Sequence, residues 1–453
     1  MCTFRKLIRS VDKSSELLRI TQTVDACYEL GALLKQAEAG HKAILFESVQ
    51  NSPFTVAGGL LTSPGRFGQS LNHPAGNNLS QAEHARLVQG AIQSPIPATE
   101  QSFAPSKDIV LTGDEIDCRT LPVPTFFKED TGPFMTAAVG ICRNSANEII
   151  NAGFYRVLML GRNSLAVSAS PSSGLYGIMQ KDKKAGRITH IALIIGAEPA
   201  LLMAAAAKVP ENISELDVAG ALQNESLATI TAESSDLFVP ANAEFVIEVA
   251  INHAQVIENT MGEFGDCYGT QLASVGEVKA ITHREKPIFH TIMAGAGKEH
   301  NALGLIVLYG IEPDLNKQLQ AAFPQVKAVR VLHDPPRMGT QGDVYIVMQN
   351  GHACAANQII EHVYSLTCGP YPISRTIRRV VLLDEDIDIT NNREVNWAIS
   401  IRATSASDYL LYDNFQGSGG LVRIGIDARA HDGNKTQRLL IPGARDFHLD
   451  DYQ

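Results

Sequence analysis

No window of the chain approaches 18 uninterrupted apolar residues, so nothing in it reads as a membrane-spanning helix. Positive charge is scarce as well. There are 38 Lys and Arg against 48 Asp and Glu, for a net charge of −10 and a pI of about 5.7. That balance excludes nucleic acid as the main partner, because phosphate-backbone binding needs clustered Lys and Arg. Only local basic groups are left to hold an anion. Cysteine is sparse, odd in number and scattered: Cys2, Cys27, Cys118, Cys142, Cys267, Cys354 and Cys368, with no CxxC pair. This excludes a disulfide framework and a structural zinc site, and fits the reduced thiols of a cytoplasmic protein. The opening text, MCTFRKLIRSVDK, is too polar for a signal peptide. The Gly-rich stretches GRFGQS and GSGG lack the strand–GxGxxG–helix setting, which excludes a dinucleotide fold. There is no internal repeat and no low-complexity tract.

The composition that is present, 45% hydrophobic and 19% charged over 453 residues, suits a globular protein of roughly two to four domains. Three textures succeed one another. Residues 1–112 carry helix-period runs (SVDKSSELLRI, TVDACYELGALLKQAEAGH, SQAEHARLVQGAIQ) around the buried strand KAILFES, which predicts an N-terminal α/β domain. Residues 113–302 change to short apolar strands with turn signals between them, the pattern of a barrel or sandwich. One helical insertion, PALLMAAAAKVPENISELDVAGAL, interrupts them. Residues 303–435 alternate again, with strands at GLIVLYGIEP, VKAVRVLHDP, DVYIVMQN and RRVVLLDEDIDITN and helices at AANQIIEHVYSL and REVNWAISIR, a second α/β domain. Residues 436–453 have little core pattern and read as a tail reaching onto a partner subunit.

One stretch resists this simple reading. Residues 151–156 spell NAGFYR inside an apolar, strand-like run, between NEII and VLMLGRNSLAV. Local text alone reads it as a loop, with Asn-Ala-Gly turning the chain and Arg156 at the surface.

Joint order changes that reading. LPVPTFFKEDTGPFMTAAVGICRN followed by NAGFYR, then IIGAEPALLMAAAAKVPENISELDVAGAL, then FVPANAEFVIEVAINHAQVIENTMGEFGDCYG, then HREKPIFHTIMAGAGKEHNALG and LLDEDIDITNNREVNWAISIR, resemble the UbiD-type decarboxylases that use prenylated FMN. The resemblance runs from about residue 30 to 428. It implies an α/β and β multi-domain fold, with a central split β-barrel like those of flavin reductases between the two α/β domains. It also implies reversible, non-oxidative decarboxylation of an aromatic, heteroaromatic or α,β-unsaturated acid.

The resemblance assigns residues too. Asn151 and Glu215 correspond to ligands of a divalent cation, Mn2+ or Mg2+, that touches the cofactor phosphate, with K+ a further candidate. Arg156 corresponds to the catalytic arginine, whose planar fork meets a carboxylate bidentately where lysine would not. Asp266 corresponds to the carboxyl group that returns a proton to carbon. Phe154 and Tyr155 are candidates to wall the flat ring of the cofactor, with core packing as the alternative. Arg375 or Arg378 lies where the family keeps a basic residue near the cofactor. His290 and His300 read as structural, and Cys267 as a change of shape in the pocket wall.

Two departures stand out. The family's first glutamate in Glu-Gly-Pro-Phe-Gly-Glu is Met261 here, and Glu263 occupies the usual proline position. The family's histidine ligand falls on Ser172 in an ungapped alignment, and no histidine occurs between Arg156 and His190. A hydroxyl is a poor substitute for imidazole toward a transition metal but serves Mg2+, Na+ or K+. These departures keep two other readings open: an FMN or prenylated-FMN protein with different chemistry, and a non-catalytic subunit of a larger carboxylase. The resemblance further implies a flavin prenyltransferase as cofactor supplier and a homo-oligomer, dimeric or hexameric.

Overall fold

The structure is a computed structural model that describes residues 2–171, 173–263, 267–295, 297–332, 342–349, 355–368, 371–413 and 422–430. The chain divides into two compact units. The first runs to Gly310 and the second begins at Ile311.

The N-terminal part of the first unit begins with the helix Phe4–Lys13, capped by the Thr3 hydroxyl, which accepts from the Lys6 amide. The chain then departs from its helix-like text. Ser15 takes φ 58° and Leu17–Ile20 becomes a strand, because pairing with Ala43–Phe46 outweighs the local helical period. A four-stranded sheet results, in the order Leu17–Ile20, Ala43–Phe46, Thr55–Gly58, Ile288–His290. Its last strand comes from far along the chain and runs parallel to Thr55–Gly58. That strand stitches the N-terminal elements to the later part of the first unit. The amphipathic helix Gln81–Gln93 forms as its text predicts, closed by a capping box between Ser80 and Glu83.

The centre is a curled sheet of ten strands, paired antiparallel throughout. The stretch at 151–156 is not a turn. Ile150–Phe154 pairs with Val139–Arg143, Tyr155 breaks the ladder, and Arg156–Met159 pairs with Ser164–Ser168 and Phe134–Met135. One residue therefore passes the chain from one end of the sheet path to the strand next to its other end. The single helical insertion divides in two, Pro199–Ala206 and Glu215–Leu222. Pro210 lies in the gap, where a helix interior rejects it, and the Ser214 hydroxyl caps the second helix.

The predicted strand GLIVLYGIEP is overturned. The chain is helical over Lys298–Ile306 and again over Ile311–Ala322. A short apolar run does not separate a buried helix from a buried strand, and here Glu299, Ala302, Leu303 and Ile306 recur at helical spacing on a buried face.

The second unit holds a five-stranded sheet, ordered Val326–Leu332, Gly342–Met348, Ile377–Asp384, Arg423–Asp427, Tyr409–Tyr412. Its three inner strands are parallel. Helices Ala356–Ser365 and Asn392–Arg402 form where the text predicts them. The proposed tail, 436–453, lies outside the described residues.

Glu198, ahead of the helix Pro199–Ala206, is fully buried in the first unit. Burial pushes its carboxyl up to about 7, against the opposing influence of Asn242 and Arg284. A carboxyl whose folded pKa is raised stabilises the fold fully below its unfolded value, and that stability drains away as pH rises through about 7. Glu198→Gln removes the titrating group. We expect the variant to be more stable than the parent at pH 8 and to lose less stability between pH 5 and 8, read from urea denaturation midpoints.

Candidate active site

The strand Val256–Glu263 folds back on Cys267–His283 as a hairpin, with Met261 opposite Gly269 and Glu263 opposite Cys267. Arg156, first residue of its strand, lies against this hairpin. Its side chain is only 4% exposed, so the guanidinium needs a counter-charge and acceptors. Both strands of the hairpin provide them. The Gly269 carbonyl accepts from Nη1 at 2.9 Å, and the Glu263 carboxylate accepts from Nη2. Half-buried His300, on the helix Lys298–Ile306, completes the surroundings. Burial pushes its imidazole down, while Glu263 and the Gly295 carbonyl oppose that and Arg156 adds to it.

Met261 is buried in an apolar cluster with Phe134, Leu158, Ala166, Ala273 and Ala294. The next residue is fixed as well: the Gly262 amide donates to Asp130 at 3.0 Å, and a Cβ there would strike the Phe127 ring at 2.4 Å. Asp130 also accepts from the Phe126 and Phe127 amides, so one carboxylate ties the loop before the sheet to the tip of the hairpin. Burial still pushes the Asp130 carboxyl up against these donors.

A second cluster surrounds Asn151, on Ile150–Phe154. The Asn151 amide donates to Glu215 Oε1 at 3.1 Å, and the Ala152 N–H donates to Oε2 at 2.8 Å. The Tyr155 hydroxyl donates to Asn151 Oδ1 at 3.3 Å. Glu215 begins its helix and is nearly inaccessible. Burial pushes its carboxyl up to about 8, while the Ala152 amide and Lys208 pull the other way. Gly174, first residue of the helix Gly174–Lys184, approaches so closely that a Cβ there would lie 2.7 Å from Asn151 Nδ2.

The structure thus joins Asn151 to Glu215 and Tyr155, and Arg156 to Glu263. Tyr155 is buried, its ring packed where Cβ atoms at Gly140 and Gly153 would lie. Phe154 is half-buried against the apolar cluster that contains Ile150 and Ala152. Asp266 and Ser172 lie outside the described residues. So does the Arg375 side chain, whose backbone belongs to the short helix Ile373–Thr376. His290 is fully buried and bonded to Glu299 at 3.1 Å, a structural pair.

Sequence reasoning passed over Glu263 because it lies two residues from the expected position. On a strand, two residues is one full period, so Glu263 presents itself on the same face as Met261. The strand-like text VIENTMGE was the signal that could have found it.

Comparison with known proteins decides the family. The models for the N-terminal, Rift-related and C-terminal domains of 3-octaprenyl-4-hydroxybenzoate carboxy-lyase match residues 8–85, 98–297 and 306–441. The chain belongs to the UbiD family. The UbiD-class enzyme HmfF of Pelotomaculum thermopropionicum, in an evolved dimeric form in complex with prFMN, is 29% identical, with a TM-score of 0.80 and 100% of both chains covered. The vanillic acid decarboxylase of Sedimentibacter hydroxybenzoicus shares the fold at a TM-score of 0.80 and 22% identity, over 98% of this chain and 97% of that one. A Rhodospirillum rubrum protein encoded in the cooM 5′ region is 26% identical over 91% of this chain and 86% of its own. The UbiD-type resemblance read from the sequence is borne out, as is the mixed α/β, multi-domain fold.

The oxygen donors of the second cluster are of the kind that hard cations take. Asn151 and Glu215 offer carbonyl and carboxylate oxygens, and among the described residues no three His, Cys, Asp or Glu side chains gather around a common point. A carboxyl held protonated by burial is one that a bound cation ionises. Cation and FMN should therefore bind cooperatively. Saturating Mg2+ should tighten FMN binding about tenfold, as measured by flavin fluorescence quenching, and Glu215→Gln should abolish the difference.

Proposed function

We propose that this protein is a carboxy-lyase that reversibly and non-oxidatively decarboxylates an aromatic, heteroaromatic or α,β-unsaturated carboxylic acid with prenylated FMN. The observation that carries the reading is a buried arginine, Arg156, held by Glu263 and by the Gly269 carbonyl of the paired strand, in a UbiD-family chain. The relatives' names support it, since HmfF binds prFMN and the Sedimentibacter protein is a decarboxylase.

The central sheet, of the split-barrel type found in flavin reductases on this reading, carries the cofactor. Asn151 and Glu215 hold a divalent cation, Mg2+ or Mn2+, or K+ beside it, against the cofactor phosphate, with Ser172 the remaining side chain of that shell. Phe154 and Tyr155 line the approach to the flavin through strand backbone and packing, and Arg375 contributes charge near it. When bound, prenylated FMN supplies the electron sink. Arg156 orients the substrate carboxylate through its fork. The apolar side chains around the hairpin exclude water, which strengthens that charged contact. Asp266 delivers the proton that replaces CO2. The remaining proposals are domain boundaries at 112/113, 302/303 and 435/436, a homo-oligomeric state, a flavin prenyltransferase as cofactor supplier, and a cytoplasmic setting. Among the described residues no helix is long and apolar enough to cross a membrane.

The test is co-expression with a flavin prenyltransferase, followed by CO2 release from a panel of aromatic and α,β-unsaturated acids. We expect at least one acid to turn over. Asp266→Asn should then lower the rate by about 10²–10⁴ while cofactor absorbance is retained. A panel that yields no CO2 from protein with verified cofactor would refute the reading.

A further inference from the structure

The family pattern gives Glu263 no role, because proline is usual at that position. The geometry gives it one. Among the described residues, Glu263 is the carboxylate that ion-pairs with buried Arg156. The approach is built into the backbone of both hairpin strands. A Cβ at Gly269 would lie 2.7 Å from Glu263 Cγ and 3.5 Å from Arg156 Nη2, so any side chain at 269 would occupy the space in which carboxylate and guanidinium meet. The Gly269 carbonyl takes the other terminal nitrogen. On the neighbouring residue, Asp130 and Phe127 fix Gly262. Behind it, Gly295 at φ +70° brings its backbone against the Glu263 carbonyl, where a Cβ would lie at 3.2 Å. Glu263 is thus constrained by its neighbours along the hairpin and across it, and its carboxylate is directed at Arg156.

We propose that Glu263 is the positioning residue for Arg156. On this view the carboxylate that the family places at position 261 has moved one strand period along the same face, and Met261 has joined the apolar cluster it left. Glu263 fixes the plane of the guanidinium, and its charge offsets the cost of burying the arginine. The fork then meets a substrate carboxylate in one orientation. The inference rests on the carboxy-lyase reading above.

The experiment uses the cofactor-loaded enzyme for kinetics and FMN-loaded protein for binding of benzoate, measured by calorimetry. Glu263→Gln keeps the shape and removes the charge. It should raise KM and the benzoate Kd by about 10- to 100-fold and lower the melting temperature, while FMN affinity stays close to the parent's. Glu263→Asp should recover part of the loss. In an Arg156→Lys background, Glu263→Gln should cost nothing further, because the residue it positions is gone. Gly269→Ala should reproduce the Gln phenotype by displacing the carboxylate. If Glu263→Gln does not fold, the Asp variant and the Gly269→Ala variant carry the test. Parent-like benzoate binding in the Gln variant, or an equal loss in the Arg156→Lys background, would overturn the positioning role and leave the carboxy-lyase reading standing. A parent that neither binds benzoate nor releases CO2 from any acid would overturn both.

Discussion

A guanidinium almost shut off from water is the constraint on which the centre of this protein depends. An unpaired buried charge is costly, so the chain must bring Arg156 acceptors and a counter-charge. It does so with two strands that meet nowhere near it in sequence. The Gly269 carbonyl and the Glu263 carboxylate occupy opposite strands of one hairpin, and the glycine at 269 keeps the space between them clear. The Tyr155 break answers the same demand. It lets one continuous stretch pair with Val139–Arg143 through Asn151 and with Ser164–Ser168 from Arg156 onward. Two sites of different chemistry thereby lie five residues apart along the chain, and the sheet fixes the position of each.

The cluster at Asn151 obeys the opposite electrostatic rule. There the buried group is an acid, and the available donors are an amide side chain, a backbone N–H and a nearby lysine. These do not fully compensate burial, so the Glu215 carboxyl is pushed up toward its protonated form. One site is a cation already neutralised by protein, while the other is an acid that a cation would ionise.

The sequence made much of this legible. Motif order along the chain carried the family, and strand and helix texts located most elements of the second unit. Asn151, Glu215 and Arg156 were singled out by the family resemblance, and the structure sets Asn151 beside Glu215. The misreadings have local physical causes. GLIVLYGIEP is apolar without a decisive period, and its helical burial becomes visible only with Glu299 included. Leu17–Ile20 is a strand because of a partner 26 residues away in the register Leu17 to Ala43. Glu263 was discounted by counting positions in a motif, although a strand repeats its face every second residue. Gly269, Gly174 and the Asp130 clamp were out of reach, since a glycine needed for close approach looks like any other until its neighbours are in place.

The central claim is that this site exchanges CO2 at the carboxyl-bearing carbon of a substrate oriented by Arg156. Reversibility makes it directly measurable. Protein loaded with prenylated FMN can be incubated with an aromatic acid and 13C-bicarbonate, and the recovered acid read by mass spectrometry. The account predicts 13C in the carboxyl group with the parent enzyme, and loss of that exchange in Arg156→Lys with the cofactor still bound. Exchange at the parent rate in Arg156→Lys, or none from any acid with fully loaded parent, would contradict it.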